Sequence, residues 1–125
     1  MHVGPVIAVG DLSRALEFYQ DKLGLTGAET PGGWTVRADD GTVLYLLPDV
    51  PDAGSASWPV ASFRVEDVRA TVRSLRVRGV EFLGPGDLPF DLDEDGISAG
   101  EEMSVAWMRD PDGSVLTVFA LVSRP

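Results

Sequence analysis

The sequence predicts an α+β domain in which two βαβββ units form a curved, mixed, eight-stranded sheet with helices on its convex side. The first observation is an internal repeat, because RADDGTVLYL at 37–46 recurs as RDPDGSVLTV at 109–118. The second is a weaker repeat of VIAVGDLSRALEFY, which starts at Val6, as SFRVEDVRATVRSL, which starts at Ser62. The two offsets, 72 and 56 positions, differ by 16 residues, so the second unit carries an insertion. Self-similarity on this scale indicates a duplicated supersecondary unit.

A chain of 125 residues is predicted to form a single domain, 1–125. A half of about 60 residues buries too little surface to be stable alone, so the units are expected to share one core. Unit one covers about 4–48 and unit two about 58–122, with the insertion at 84–102. The stretch between them, about 49–57, is rich in Pro, Ser, Gly and Asp and is predicted to be the linker.

Each unit begins with an apolar strand followed by an Asp-capped amphipathic helix. In unit one, Asp11 precedes a helix that ends at Gly24, and in unit two Asp67 precedes a helix that ends at Gly79. The other runs are typical of strands, and the eight predicted strands are 5–9, 25–29, 34–38, 42–47, 60–65, 80–83, 103–109 and 114–122. Three arginines, Arg69, Arg73 and Arg76, lie near one another on the outer side of the second helix and are expected to face solvent.

The formal net charge of −10 argues against nucleic acid and anionic membranes as partners, because their phosphates require Lys and Arg. The charge is explained either by solubility alone or by the attraction of cationic ligands. There is no cysteine, so disulfides and thiolate chemistry are excluded. The N-terminus lacks the pattern of a signal peptide, and no apolar run is long enough to span a membrane, so a cytoplasmic location is expected.

Two segments together with the duplication resemble the vicinal oxygen chelate superfamily, which includes glyoxalase I, bleomycin resistance proteins and extradiol dioxygenases. The segments are VIAVGDLSRALEFYQDKLG, from Val6, and the terminal RDPDGSVLTVFAL, from Arg109. The resemblance spans roughly residues 4 to 122. It implies a homodimer with a ligand in a crevice to which both subunits contribute.

The resemblance also implies four metal-ligand positions, on the first and last strands of each unit, which are commonly His and Glu. In this chain they correspond to Gly4, Tyr45, Val60 and Thr117. These side chains cannot supply the nitrogen and carboxylate ligands that Zn, Ni or Fe requires, so no metal cofactor is expected. The only histidine, His2, is expected to be a solvated N-terminal residue.

Strand alternation then predicts a ligand pocket around those four positions. A turn at Asp40-Gly41 would pair Val36 with Tyr45 and Trp34 with Leu47, and Trp107 would lie on the opposite, helix-packed face. The predicted ligand-binding residues are Trp34, Val36, Tyr45, Leu47, Val60, Ser62, Arg64, Met108, Thr117 and Phe119. Trp34 and Tyr45 are expected to stack on the ligand. The alternative is that these side chains only fill the sheet interior.

The insertion is strongly acidic, and three interpretations of it remain open. Its acids at Asp91, Asp93, Asp95 and Glu102 have the spacing of a calcium-binding EF-hand loop. However, prolines preclude a proper entering helix, and the segment after the acids resembles a strand. The other interpretations are a solvated acidic flap and a flap that covers the pocket, with Phe90 or Leu92 touching the ligand.

The sequence therefore predicts a metal-free small-molecule binding protein. It is similar to bleomycin resistance proteins, which sequester a drug without altering it, and its ligand is expected to be aromatic or cationic, such as an antibiotic. One alternative is an enzyme of glyoxalase, isomerase or dioxygenase type, although no nucleophile has an evident base. Another is a module that docks a partner protein.

Overall fold

The computed structural model describes residue 1 and residues 3–122, so the prediction for His2 lies outside the described residues. In the described part of the chain, no helix is long and apolar enough to cross a membrane. The elements of unit one are β1 (Val6–Ala8), α1 (Leu12–Leu16), a π-helical segment (Glu17–Lys22), β2 (Thr26–Thr30), β3 (Gly33–Arg37) and β4 (Val43–Leu47). Those of unit two are β5 (Pro59–Arg64), α2 (Val68–Val77), β6 (Glu81–Phe82), β7 (Ile97–Ala99), β8 (Met103–Arg109) and β9 (Val115–Leu121).

The strands pair within each unit. Unit one forms a four-stranded sheet in the order β1-β4-β3-β2, and unit two forms a sheet in the order β5-β9-β8-β6, with β7 also paired to β8. In both units the first strand is parallel to the last one, and the other neighbours are antiparallel. The predicted α+β class is therefore confirmed, whereas the strands form two sheets rather than one, and the insertion adds β7.

Both helices begin as the sequence predicts. The carboxylate of Asp11 accepts a hydrogen bond from the backbone N–H of Arg14 at 3.2 Å, and that of Asp67 accepts one from Ala70 at 3.0 Å. Each cap satisfies one of the unpaired N–H groups of a first helical turn. The buried apolar side chains of both units form a single core cluster. The two units thus stabilise one another through a shared core, as their small size requires.

The hairpin connections are longer by one residue than the sequence suggested. In unit one, the N–H of Ala38 donates to the carbonyl of Thr42, so Asp39, Asp40 and Gly41 form the connection. Gly41 has φ = 88°, the left-handed conformation that such connections commonly place at their last residue. The hairpin of unit two has the same pattern between Asp110 and Ser114.

This extra loop residue shifts the register and exchanges the two faces of the affected strands. Trp34 pairs with Leu46 and Val36 with Leu44, rather than with Leu47 and Tyr45. Both residues therefore lie on the helix-packed face, where Val36 is fully buried. Trp34 and Val36 therefore do not share the face of Tyr45, as strand alternation had predicted.

The same shift applies to unit two. Met108 pairs with Leu116 and is 1 % exposed, so it also belongs to the helix-packed core. Trp107 pairs with Thr117 and lies on the face that carries the metal-ligand positions of related proteins. The faces predicted for Met108 and Trp107 are thus exchanged, by the same one-residue shift as in β3.

Candidate functional site

We call the side of each sheet opposite the helices its open face. In unit one the open face of β4 carries Val43, Tyr45 and Leu47, while Leu44 and Leu46 between them are buried. Tyr45 and Leu47 are 43 % and 46 % exposed. An apolar strand face with this exposure is available to a ligand or to a second protein surface.

The four positions that would hold a metal do not fit one. A Cβ atom on Gly4 would lie 2.9 Å from Cε2 of Tyr45, so the tyrosine ring occupies the space that a ligand side chain at Gly4 would need. The hydroxyl of Thr117 donates to the hydroxyl of Ser62 at 2.6 Å. Among the described residues, no group of three or more His, Cys, Asp or Glu side chains is placed to hold a metal ion. This set therefore matches neither a zinc nor an iron site.

Val60 lies where the pairing of β5 with β9 is irregular, between Pro59 and Ala61. An extra residue in a strand disturbs the alternation of side chains on which the prediction for Val60 depended. Val60 is partly buried and packs against the core.

A cleft of about 610 Å³ lies between the two units. Its walls come from the first hairpin, from the segment after α1, and from β5, α2, β8 and β9. Half of the predicted ligand-binding residues line it, namely Val36, Ser62, Arg64, Met108 and Phe119. Val36 and Met108 reach the cleft from the core side of their sheets.

The other predicted residues lie elsewhere. Tyr45, Leu47 and Thr117 are on the open faces, and Trp34 packs against the core on the opposite side of its sheet from Tyr45. The predicted joint stacking of Trp34 and Tyr45 on one ligand is therefore wrong. The cleft instead contains residues that the pattern did not single out, namely Leu23, Leu25, Asp39, Asp40, Thr71 and Leu75. Comparing the two repeats position by position would have drawn attention to this hairpin and helix.

The insertion is held against α2 by ion pairs. Arg69 binds Asp93 at 2.7 Å and Asp95 at 2.5 Å, and Arg73 and Arg76 also contact Asp95. The arginine stripe expected to face solvent thus anchors the insertion. Because two of the four carboxylates predicted for calcium already bind arginine, this arrangement does not fit an EF-hand site.

The insertion also covers part of the open face of unit two. The ring of Phe90 lies 5.2 Å, centroid to centroid, from that of Trp107. Trp107 pairs directly with Thr117, so Phe90 lies near one of the four positions at which the family resemblance implies a metal ligand. In unit one, which lacks the insertion, Tyr45 stays 43 % exposed among the described residues.

We expect the insertion to detach from Trp107 in acid. Hydrogen bonds from Arg69 lower the pKa of Asp93 and of Asp95 below their ordinary value of 3.8. A lowered carboxyl pKa stabilises the folded state above the unfolded value, and that contribution is lost as the pH falls through the folded value. The tip of the insertion should therefore be released below about pH 4.

The measurement is the emission of Trp107 in a Trp34→Phe, Trp58→Phe background between pH 6 and pH 2.5, with far-ultraviolet circular dichroism recorded in parallel. A red shift should precede the loss of secondary structure. In the same background, Arg69→Leu should show the shifted emission already at neutral pH. Unchanged emission in both proteins until global unfolding would contradict the anchoring role of these ion pairs.

The most strongly perturbed titratable pair lies between the units, outside the cleft. The hydroxyl of Tyr19 donates to Asp110 at 2.7 Å, and both residues are buried. Burial raises the pKa of each, and the neighbouring carboxylate raises that of Tyr19 further. Since Tyr19 is 0 % exposed, the pair cannot meet a substrate, and we assign it a structural role.

Comparisons with known proteins agree with this architecture. The sequence model of the Glyoxalase/Bleomycin resistance protein/Dioxygenase superfamily matches residues 2–118. Among solved structures, TnmS3, an antibiotic binding protein from Streptomyces sp. CB03234, is 23 % identical with a TM-score of 0.71, and 98 % of each chain is covered. The fosfomycin resistance protein FosX from Listeria monocytogenes is 12 % identical, with a TM-score of 0.71 and coverage of 96 % and 92 %. UcmS2 is 18 % identical, with a TM-score of 0.69 and coverage of 95 % and 98 %. No curated protein matches.

The chain belongs to the Glyoxalase/Bleomycin resistance protein/Dioxygenase superfamily, since the match covers most of its length. At these identities, the likeness to solved structures concerns the fold alone.

Proposed function

We propose that the protein is a metal-free, cytoplasmic small-molecule binding protein that sequesters an aromatic or cationic ligand, such as an antibiotic, without altering it. The observation that carries the proposal is the cleft of about 610 Å³, whose walls are mainly apolar and come from both units. Small-molecule sites are typically concave and apolar, with a few polar groups that fix orientation. Ser62, Arg64 and Thr71 are polar groups of this kind.

Binding is favoured over catalysis by the side chains that line the cleft. A hydroxyl nucleophile requires a base within hydrogen-bonding reach. In the cleft, the hydroxyl of Ser62 accepts from Thr117, itself an alcohol, and that of Thr71 donates to the backbone carbonyl of Asp67. The hydroxyl of Thr42 donates to Asp40, but these hydrogen bonds lower the pKa of that carboxyl and so make it a weak base. The structural relative named as an antibiotic binding protein supports the same class of function for this chain.

We further propose that the protein is a homodimer. The exposed side chains of Val6, Tyr45 and Leu47 share the open face of unit one. A second copy that covered this face would remove a large apolar area from water. This arrangement supports the crevice between subunits that the family resemblance implies.

Thermal unfolding tests the metal-free assignment. A metal that binds only the native state raises the free energy of unfolding by about 2.7 kcal/mol at a hundredfold excess over its Kd. The midpoint temperature of unfolding rises accordingly. We expect no change when Zn, Ni, Mn, Fe(II) or Ca is added after chelator treatment, and a rise with aromatic cations. The ligand should be recovered chemically unchanged.

A rise with a transition metal would overturn the metal-free assignment and favour the metalloenzyme alternative. A rise with Ca alone would identify a calcium site and leave the proposed binding function intact. Turnover of a bound ligand would replace sequestration by glyoxalase- or isomerase-type catalysis.

A further inference from the structure

The repeat creates two related interfaces between the units. One is closed, because side chains of both units meet across it, and the other is open, because the cleft lies there. In the closed interface, the helix of unit one contacts the second hairpin turn. Tyr19 binds Asp110, and Arg14 binds Asp112 at 3.0 Å. The backbone N–H of Gly10 also donates to Asp112 at 3.2 Å.

The related interface joins α2 of unit two to the first hairpin turn. The offsets of 56 and 72 positions place Leu75 where unit one has Tyr19, Ala70 where it has Arg14, and Ala38 where unit two has Asp110. The aromatic ring, the cation and one carboxylate are thus all missing. Only the carboxylate equivalent to Asp112 is kept, as Asp40.

The backbones of the two turns remain equivalent. In the first turn, Ala38 donates to the carbonyl of Thr42 at 2.9 Å and Gly41 donates to Ala38 at 3.0 Å. The second turn has the same two bonds, each at 3.0 Å, between Asp110 and Ser114 and between Gly113 and Asp110. The difference between the interfaces therefore lies in side chains, and the cleft lies where they were lost, with Ala38, Asp40, Thr71 and Leu75 among its walls.

From this difference between the two interfaces we infer that the cleft takes a ligand with an aromatic ring and an attached cation. The inference rests on the proposed binding function. The ring occupies the space that a tyrosine at Leu75 would fill, and the cation binds Asp40 as Arg14 binds Asp112. Because Ala38 offers no side-chain acceptor, the ring needs no hydroxyl group. An aromatic amidine or amine has this chemistry.

The charges around the cleft fix the orientation of such a ligand. Hydrogen bonds from Thr42 lower the pKa of Asp40, so its carboxylate is ionised at neutral pH. Unlike Asp112, Asp40 forms no ion pair with any described residue, and Asp39 lies beside it on the cleft wall. Arg64 lines the cleft from β5, where its positive charge disfavours a second cation. The cationic group is therefore directed to the first hairpin turn.

The decisive variant combines Ala38→Asp with Leu75→Tyr. It introduces into the open interface the pair equivalent to Tyr19 and Asp110 of the closed interface. The probe is diamidinophenylindole, an aromatic dye with amidinium groups, and anilinonaphthalene sulfonate serves as its anionic counterpart. The wild type should bind the cationic dye, and the double variant should lose this binding. The two substitutions should also stabilise one another, so that the double variant unfolds at a higher temperature than either single variant. Val77→Tyr, on the exposed side of α2, is the matched control and should bind normally.

A second pair of variants keeps the test decisive if the double variant does not fold. Asp40→Asn should weaken binding of the cationic dye about twofold to fivefold at low salt, because the pair is exposed and screened. Asp52→Asn removes the same charge from the linker and should change nothing. Equal affinities for the two variants would overturn the inference.

The outcomes separate this inference from the proposed function. If the mutually stabilised double variant still binds the cationic dye, the ligand lies outside this cleft and the inference is wrong, while small-molecule binding stands. If the wild type binds only the anionic dye, the ligand class is wrong and binding again stands. If it binds neither dye, both the inference and the proposed function fail.

Discussion

Replacing Asp110 by alanine is expected to lower the free energy of unfolding by about 3–5 kcal/mol. The carboxylate of Asp110 accepts from the hydroxyl of Tyr19 and from the backbone N–H groups of Asp112 and Ser114. All three donors lose their acceptor in the variant, and the hydroxyl of Tyr19 is buried where water cannot replace it. Burial raises the pKa of Asp110, because a buried carboxylate is costly. Removing the carboxylate removes this cost and offsets part of the lost stability.

Urea unfolding at neutral pH provides the measurement. Asp110→Asn is the matched control, because its amide oxygen keeps one acceptor at the same position and should cost only about 1 kcal/mol. The difference between the variants measures what a side-chain acceptor at this position contributes to the turn and to Tyr19 together. If alanine and asparagine cost the same, the hydrogen bonds accepted at Asp110 do not stabilise the fold.

Replacing Gly54 by alanine is expected to cost about 3 kcal/mol or more. Gly54 lies in the linker with φ = 82°, and a Cβ atom there would overlap the backbone carbonyl oxygen of Asp112. The variant must therefore both strain its own backbone and displace the second hairpin turn. Because that turn also binds Arg14, we expect the damage to reach the interface between the units.

Gly86→Ala separates these two costs. Gly86 has a comparable φ of 93°, but apart from its chain neighbours no described residue has an atom within 4 Å of the added Cβ. Its substitution should cost only the conformational strain, about 1–2 kcal/mol. Thermal or urea unfolding of both variants gives the comparison. Equal losses would mean that the linker does not pack closely on the Asp112 turn.

Local sequence signals were sufficient for the elements of the fold. Strand and helix patterns, the caps at Asp11 and Asp67 and the repeat together indicated the α+β class and eight of the nine strands among the described residues. These features depend on a few neighbouring residues and on the periodicity of apolar side chains. The resemblance to the superfamily, with which the repeat offsets agree, likewise identified Gly4 and Thr117 as non-coordinating residues at ligand positions.

The candidate site was predicted less well because it depends on register and on contacts between distant segments. One additional residue in each hairpin connection moved Trp34, Val36 and Met108 to the core side of their strands. Nothing in the Asp-Gly signal distinguishes a two-residue from a three-residue connection, yet side chains alternate with every residue. The irregular pairing of β5 beside Val60 is equally invisible in its local sequence.

The sequence by itself determined the duplicated α+β units, the acidic insertion and the absence of metal-binding residue types at the family's four positions. Only the tertiary structure decided that the insertion binds the arginines of α2, and that one interface between the units is closed by Tyr19 and Asp110 while its counterpart is open. The physical reason is that these contacts join residues far apart in the chain, and their formation depends on shape and charge across both units. The pattern within one segment predicts which face of a helix or strand is apolar, but it does not predict which other segment packs against that face.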